Sequence, residues 1–165
     1  MQGYIIPNLG KANSRACTFA AARVMEKCGV TAVMPDVMQR EFPIRSVLFQ
    51  PKEQGLKRSD FIIAIGGDGT ILHVAQDAVR YDLPVLGINT GRVGFLATIE
   101  REETDLIEKV ASGHYKVEER MLIEASVGVE SCWAVNDIVL TRGEYSRIVD
   151  IDIFCDGNPL YSLRG

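Results

Sequence analysis

The chain has little of what several specialised chemistries require. Its four cysteines, Cys17, Cys28, Cys132 and Cys155, are scattered and form no Cys-x-x-Cys pair, and only two histidines accompany them. A zinc site or a disulfide framework is therefore not expected, and free thiols in a reducing cytoplasm are. No basic run stands out and the net charge is −4, which removes any general attraction to nucleic acid or an anionic membrane. Met1 to Gly10 carries no long apolar stretch or cleavage-like site, and no segment approaches the length of a membrane span. Neither an internal repeat nor a low-complexity tract occurs. At 165 residues, 47% hydrophobic and 24% charged, the composition is that of a soluble globular protein with one good core.

What is present centres on the apolar run Asp60-Phe-Ile-Ile-Ala-Ile65 leading into Gly66-Gly-Asp-Gly-Thr70. Phe61 to Ile65 is apolar on both faces, as in a strand buried between helices. Helical spacing follows through Ile71, Val74, Ala75, Ala78 and Val79. Strand, glycine turn and helix together bring backbone N–H groups and a helix N-terminus to a phosphate. Two common phosphate motifs are excluded. There is no lysine for a Walker A loop, and Leu72 stands where the dinucleotide fingerprint needs its third glycine. Asp68 is the unusual residue, because a carboxylate beside a phosphate is repulsive. It could hold Mg²⁺ on the phosphates or take a proton from a hydroxyl nucleophile, and both point to phosphoryl transfer. The plain alternative is a strand-to-helix turn capped by Asp68 or Thr70.

Taken in order, Tyr4 to Pro7 reads as a strand, Lys11 to Cys28 as a helix closed by Gly29, and Thr31 to Met34 as a second strand. Residues 35–58 are broken by Pro35, Pro43 and Pro51, with Ile44 to Phe49 either strand or loop. Pro84 to Asn89 is a further strand. It leads directly into a second glycine loop, Thr90-Gly-Arg-Val-Gly-Phe-Leu96. Alternating strands and helices predict a parallel α/β arrangement, with both glycine loops on the carboxyl edge of the sheet, where ligands sit. Glu102 to Gly113 reads as a helix. Beyond residue 116 the texture changes to strands: Tyr115 to Val129, Trp133 to Thr141, Ile148 to Cys155 and Leu160 to Leu163, with turns at Arg142-Gly143 and Asp156 to Pro159. Val149, Ile151, Ile153 and Cys155 are expected on a buried face and Asp150 and Asp152 on a wet one. The division expected is an α/β nucleotide-binding domain over residues 1–116 and the start of an all-β domain over 117–165.

Asn136-Asp137 interrupts an apolar run and could hold a ribose diol, the carboxylate accepting and the amide doing either; the alternative is a loop-end turn. Neighbouring strand residues face opposite ways, so a shared ligand places the pair at a strand start or bulge. Phe95 could stack on an adenine or plug the core beneath its loop. His73, in the first turn of the helix, could face phosphates or solvent. Arg92, Arg142, Arg147 and Arg164 are further candidates for phosphate, and Trp133 is assigned to the core.

Gly66-Gly-Asp-Gly-Thr70, then Gly87-Ile-Asn-Thr-Gly-Arg-Val-Gly-Phe-Leu96, then Asn136-Asp-Ile-Val139 resemble, in order and spacing, the NAD kinases. The first motif is shared with lipid kinases of the diacylglycerol and sphingosine kinase type; the second is far more specific. The resemblance implies transfer of the γ-phosphoryl group of ATP, or of polyphosphate, to the 2′-hydroxyl of the adenosine ribose of NAD, giving NADP. It implies Asp68 as the base or hydroxyl-orienting residue, and Gly66, Gly67, Gly69 and Thr70 around the phosphates, beside the His73 candidate read from its helical position. It further implies Phe95, Asn136 and Asp137 on NAD, and Mg²⁺ held through the donor phosphates. It also implies assembly of the full-length protein into a homo-oligomer through its β domain. Two departures stand out. Asp137 replaces the family's common glutamate. The chain also stops at Ser162-Leu-Arg-Gly165, before a Gly-Asp-Gly stretch and a Thr-Gly-Ser-Thr-Ala-Tyr motif, so it is expected to be truncated and weakly active or inactive alone. The alternatives are a lipid kinase and a non-catalytic nucleotide-binding fragment.

Overall fold

The computed structural model describes residues 1–91, 94–141 and 148–164. Six parallel strands form the main sheet: β1 (Gln2–Pro7), β2 (Thr31–Pro35), β3 (Val47–Gln50), β4 (Phe61–Gly66), β5 (Val85–Asn89) and β6 (Ile99–Glu100), in the order β3-β2-β1-β4-β5-β6. Strand order reverses between β1 and β4, which pair from Gly3 with Phe61 to Pro7 with Ile65. Open α/β sheets bind ligands outside the carboxyl ends of their strands at such a reversal. The region beyond Pro7 and Gly66 is therefore the place to look for a site.

Helices cover both faces of the sheet. β4 is buried throughout and divides its side chains between them. Phe61, Ile63 and Ile65 join Ile5, Ala21, Met25 and Ile107 in one core layer, which is covered by α1 (Ser14–Lys27) and α4 (Ile107–Ala111). Ile62 and Ala64 join Tyr4, Leu56 and Val74 in the other, beneath α2 (Lys52–Lys57) and α3 (Asp68–Tyr81). The period-2 alternation of a strand thus explains why its sequence is apolar at every position. The parallel α/β expectation holds. Residues 35–58 resolve into β3 and α2. Gly55 lets α2 lie close on β1, since a Cβ there would stand 2.3 Å from the Tyr4 ring.

Some element ends differ from expectation. α1 begins at Ser14 because Asn13 adopts a left-handed conformation, φ 66°. Residues Arg101–Leu106 form a 3₁₀ turn before α4. Past α4 the strands are antiparallel: β7 (Ile123–Val127) with β8 (Glu130–Ala134), and β9 (Asp150–Cys155) with β10 (Asn158–Arg164). The second pair turns at Asp156-Gly157, both with positive φ (49° and 79°), which suits the twist of a two-residue hairpin. The strand expected over Trp133 to Thr141 stops at Ala134, and Trp133 is 45% exposed, so its assignment to the core is corrected. The buried face expected of Ile151, Ile153 and Cys155 is absent too. Ile153 and Cys155 are exposed and Ile151 is only half-buried. Each hairpin has two strands, too few to bury either face fully. The expected Arg142-Gly143 turn lies outside the described residues.

Tyr4 is fully buried and its hydroxyl has no hydrogen-bond partner among the described residues. Burial, with Asp36 and Asp77 nearby, pushes its phenol well above the usual range. A buried hydroxyl without a partner contributes nothing to offset its desolvation. Tyr4→Phe is expected to leave stability unchanged or raise it by up to about 1 kcal/mol, measured by urea unfolding. A loss of that size would reveal a partner for the hydroxyl.

Candidate functional site

The two glycine loops meet at the carboxyl edge, next to the strand reversal. β4 ends at Gly66 and α3 starts at Asp68, with Gly67 as an extended N-cap (φ −116°, ψ −171°) that supplies no side-chain cap. The carbonyl of Gly67 accepts from the N–H of Thr70 at 2.8 Å and of Ile71 at 3.3 Å. The N–H groups of Asp68 and Gly69 have no partner among the described residues, so the helix start presents donors to whatever sits in front of it. Capping by Asp68 or Thr70, the plain alternative for this turn, does not occur.

Gly67 and Gly69 have no positive φ, so backbone conformation does not demand glycine at either position. A Cβ at either would meet nothing within 4 Å. The glycines leave open space beside the helix start, which suits close approach of a phosphate. Gly66 answers to packing instead: a Cβ there would lie 2.2 Å from Thr70 Oγ1.

The Asp68 side chain crosses to the second loop. Its Oδ2 accepts from the N–H of Phe95 at 2.9 Å and its Oδ1 from the N–H of Leu96 at 3.1 Å. Gly94 packs so closely on this carboxylate that a Cβ there would stand 2.2 Å from Oδ1. A second tie runs from the Thr90 N–H to the Gly66 carbonyl at 2.9 Å. Asn89, almost fully buried, donates to both Glu100 oxygens (3.2 and 3.0 Å) and accepts from the Gly91 N–H at 3.0 Å, which anchors the start of the loop. Asp68 thus joins the two loops, and Phe95 is left 97% exposed beside it. The core-plug reading of Phe95 is excluded.

His73 falls in the second turn of α3, not the first, because the helix begins at Asp68; it is exposed. Asn136 and Asp137 follow the end of β8 in a bend, not at the strand start or bulge expected for a shared ligand. They line an open cleft of about 230 Å³ whose other wall includes Leu72, Gln76 and Val79 of α3. Trp133 lines the same cleft. Arg164 pairs with Asp150 at 3.4 Å; Arg92, Arg142 and Arg147 lie outside the described residues. Among the described residues no group of three or more His, Cys, Asp or Glu could hold a metal ion. No helix among them is long and apolar enough to cross a membrane. Asn8, Asn89 and Glu100 are site-shaping residues that sequence reasoning missed. Asn8 directly follows the strand that ends at Pro7 and has no other local signal.

The family model described as the ATP-NAD kinase N-terminal domain matches residues 5–115, two thirds of the chain. The chain belongs to the NAD kinase family. An NAD kinase of Lachnoclostridium phytofermentans is 34% identical over 169 residues, covering 98% of this chain and 58% of that protein. One of Natranaerobius thermophilus is 40% identical over 113 residues, covering 65% and 40%. Among solved structures, yeast NADH kinase complexed with NADH matches with a TM-score of 0.80 at 23% identity, over 98% of this chain and 54% of that one, which shows a shared fold. The chain therefore spans about half the length of the curated relatives it matches.

Proposed function

We propose that the chain carries the acceptor-activating wall of an NAD kinase active site, which moves the terminal phosphoryl group of ATP or polyphosphate to the 2′-hydroxyl of the adenosine ribose of NAD. The observation that carries this reading is the placement of Asp68. Its carboxylate stands at a helix start with unpaired N–H groups and is tied to the loop that bears an exposed phenyl ring. A carboxylate has about four lone-pair sites, and two N–H bonds leave room for a hydroxyl.

In this reading Phe95 covers the adenine, and Asn136 with Asp137 holds ribose hydroxyls. Gly66, Gly67, Gly69 and Thr70 frame the donor phosphates, with His73 beyond them. Asp68 takes the 2′-hydroxyl proton as the oxygen bonds to the γ-phosphorus, and the bond from that phosphorus to the bridging oxygen breaks, releasing ADP. Binding both substrates in line accounts for most of the acceleration, as in phosphoryl transfer generally. Mg²⁺ would be carried on the donor phosphates, which suits a site where the described residues hold no group of three or more His, Cys, Asp or Glu. When bound, the cation would neutralise charge developing on the transferred group.

Four unpaired thiols fit a reducing cytoplasm. The exposed apolar side chains of the β hairpins, Val127, Phe154, Leu160 and Tyr161 among them, fit burial in a homo-oligomer of the whole protein.

Phe95→Ala tests the nucleotide part of the reading. Stacking of a base on an aromatic ring is worth about 1–3 kcal/mol. The KM for NAD is expected to rise about tenfold, with kcat within a few-fold of wild type and an unchanged melting temperature, because the ring is exposed. An unchanged KM would remove Phe95 from the adenine site.

A further inference from the structure

We infer that Asn8 is a positioning residue that fixes the Thr70 hydroxyl as a hydrogen-bond donor toward a bound phosphate. The inference rests on the Gly66–Thr70 loop being a phosphate site, and adds to it a residue from a different strand. Asn8 lies just past β1, across the strand reversal from α3, and its N–H donates to the Ile65 carbonyl at 2.8 Å. Its side chain is committed at both ends. Oδ1 accepts from the Gly10 N–H at 3.0 Å, and Nδ2 donates to Thr70 Oγ1 at 3.0 Å. Rotating the amide by half a turn would set Nδ2 against the Gly10 N–H, donor against donor, so the polarity of the group is fixed by its surroundings.

Thr70 Oγ1 is confined from the other side by Gly66, where even a methyl group would stand 2.2 Å away. A hydroxyl that accepts from Asn8 keeps its own proton to give, and no acceptor for that proton occurs among the described residues. It belongs to the same turn as the unpaired N–H groups of Asp68 and Gly69. A phosphate oxygen in the loop would then meet N–H donors from the helix start and one O–H donor whose direction Asn8 sets.

Asn8→Asp is nearly isosteric and reverses this polarity. The carboxylate can still accept from Gly10, but toward Thr70 it can only accept, so the hydroxyl proton turns away from the phosphate and a negative charge is added.

The test titrates the full chain with magnesium tripolyphosphate, following the backbone amide resonances of Gly66, Gly67 and Gly69. Wild type is expected to bind, Asn8→Asp to bind at least tenfold more weakly, and Asn8→Ala and Thr70→Ala each about fivefold more weakly. Thr70→Ser should bind like wild type. In a Thr70→Ala background, Asn8→Ala should cost nothing further, which a merely structural role for Asn8 would not produce. Wild-type affinity in Asn8→Asp, or additive losses in the double variant, would overturn the role of Asn8. Wild type that fails to bind tripolyphosphate would overturn the phosphate-site reading and this inference with it. If Asn8→Asp does not fold, the alanine cycle decides alone.

Discussion

Asp68→Asn is expected to lower kcat of the whole protein by roughly a hundredfold or more, the usual contribution of a positioned general base. The KM for NAD should rise only a few-fold. Asparagine has the same size and can still accept one of the two N–H bonds that now come from Phe95 and Leu96, but its amide nitrogen meets the other as donor against donor. The second loop should therefore loosen without detaching, because the Thr90 N–H bond to Gly66 remains. A large loss of kcat with a small change in KM is the mark of a group that acts mainly in the transition state. Steady-state kinetics with NAD and ATP read both numbers. If KM rises a hundredfold while kcat holds, Asp68 is a latch for the loop and not a base.

Gly94→Ala should be nearly as damaging, and for a different reason. The added methyl would stand 2.2 Å from Asp68 Oδ1 and 2.8 Å from its carboxyl carbon, far inside contact distance. Either Asp68 swings away or the loop lifts, and both outcomes break the bonds to Phe95 and Leu96. Displacement of about 1 Å at such a site can cost a hundredfold. A fall in kcat/KM of that order is expected, shared between a higher KM for NAD and a lower kcat. Gly67→Ala is the matched control for folding, since its Cβ meets no atom of the chain. Equal activity of Gly94→Ala and wild type would mean that the contact between the loops is not used.

Much of this was legible in the sequence, because the signals were local. An apolar run that stops at two glycines and resumes at helical spacing is β4 followed by α3; the structure bears out the strand over Phe61 to Ile65, extends it to Gly66 and starts the helix at Asp68. The placement of both glycine loops on one edge followed from strands that alternate with helices.

The missed features depend on contacts distant in sequence. α2 was hidden in a stretch broken by Pro35, Pro43 and Pro51, and the packing of Gly55 against Tyr4 that holds it to the sheet has no local signal. Asn8 reads as the end of a strand until β1 and β4 pair and bring it to Thr70, 62 residues away. The bond of Asp68 to the second loop spans 27 and 28 residues and has no sequence signature. Trp133 was misplaced because an aromatic residue in an apolar run usually marks a core, whereas β7 and β8 form a two-stranded pair that leaves it half in solvent.

The most direct test of the central claim is the position of the transferred phosphate. The whole protein is incubated with NAD, ATP and Mg²⁺, and the product is mapped by ³¹P NMR beside the Asp68→Asn variant. A new phosphate on the 2′-oxygen of the adenosine ribose, formed at least a hundredfold more slowly by the variant, is the predicted result. No phosphate on that oxygen, or equal rates for the two proteins, would contradict it.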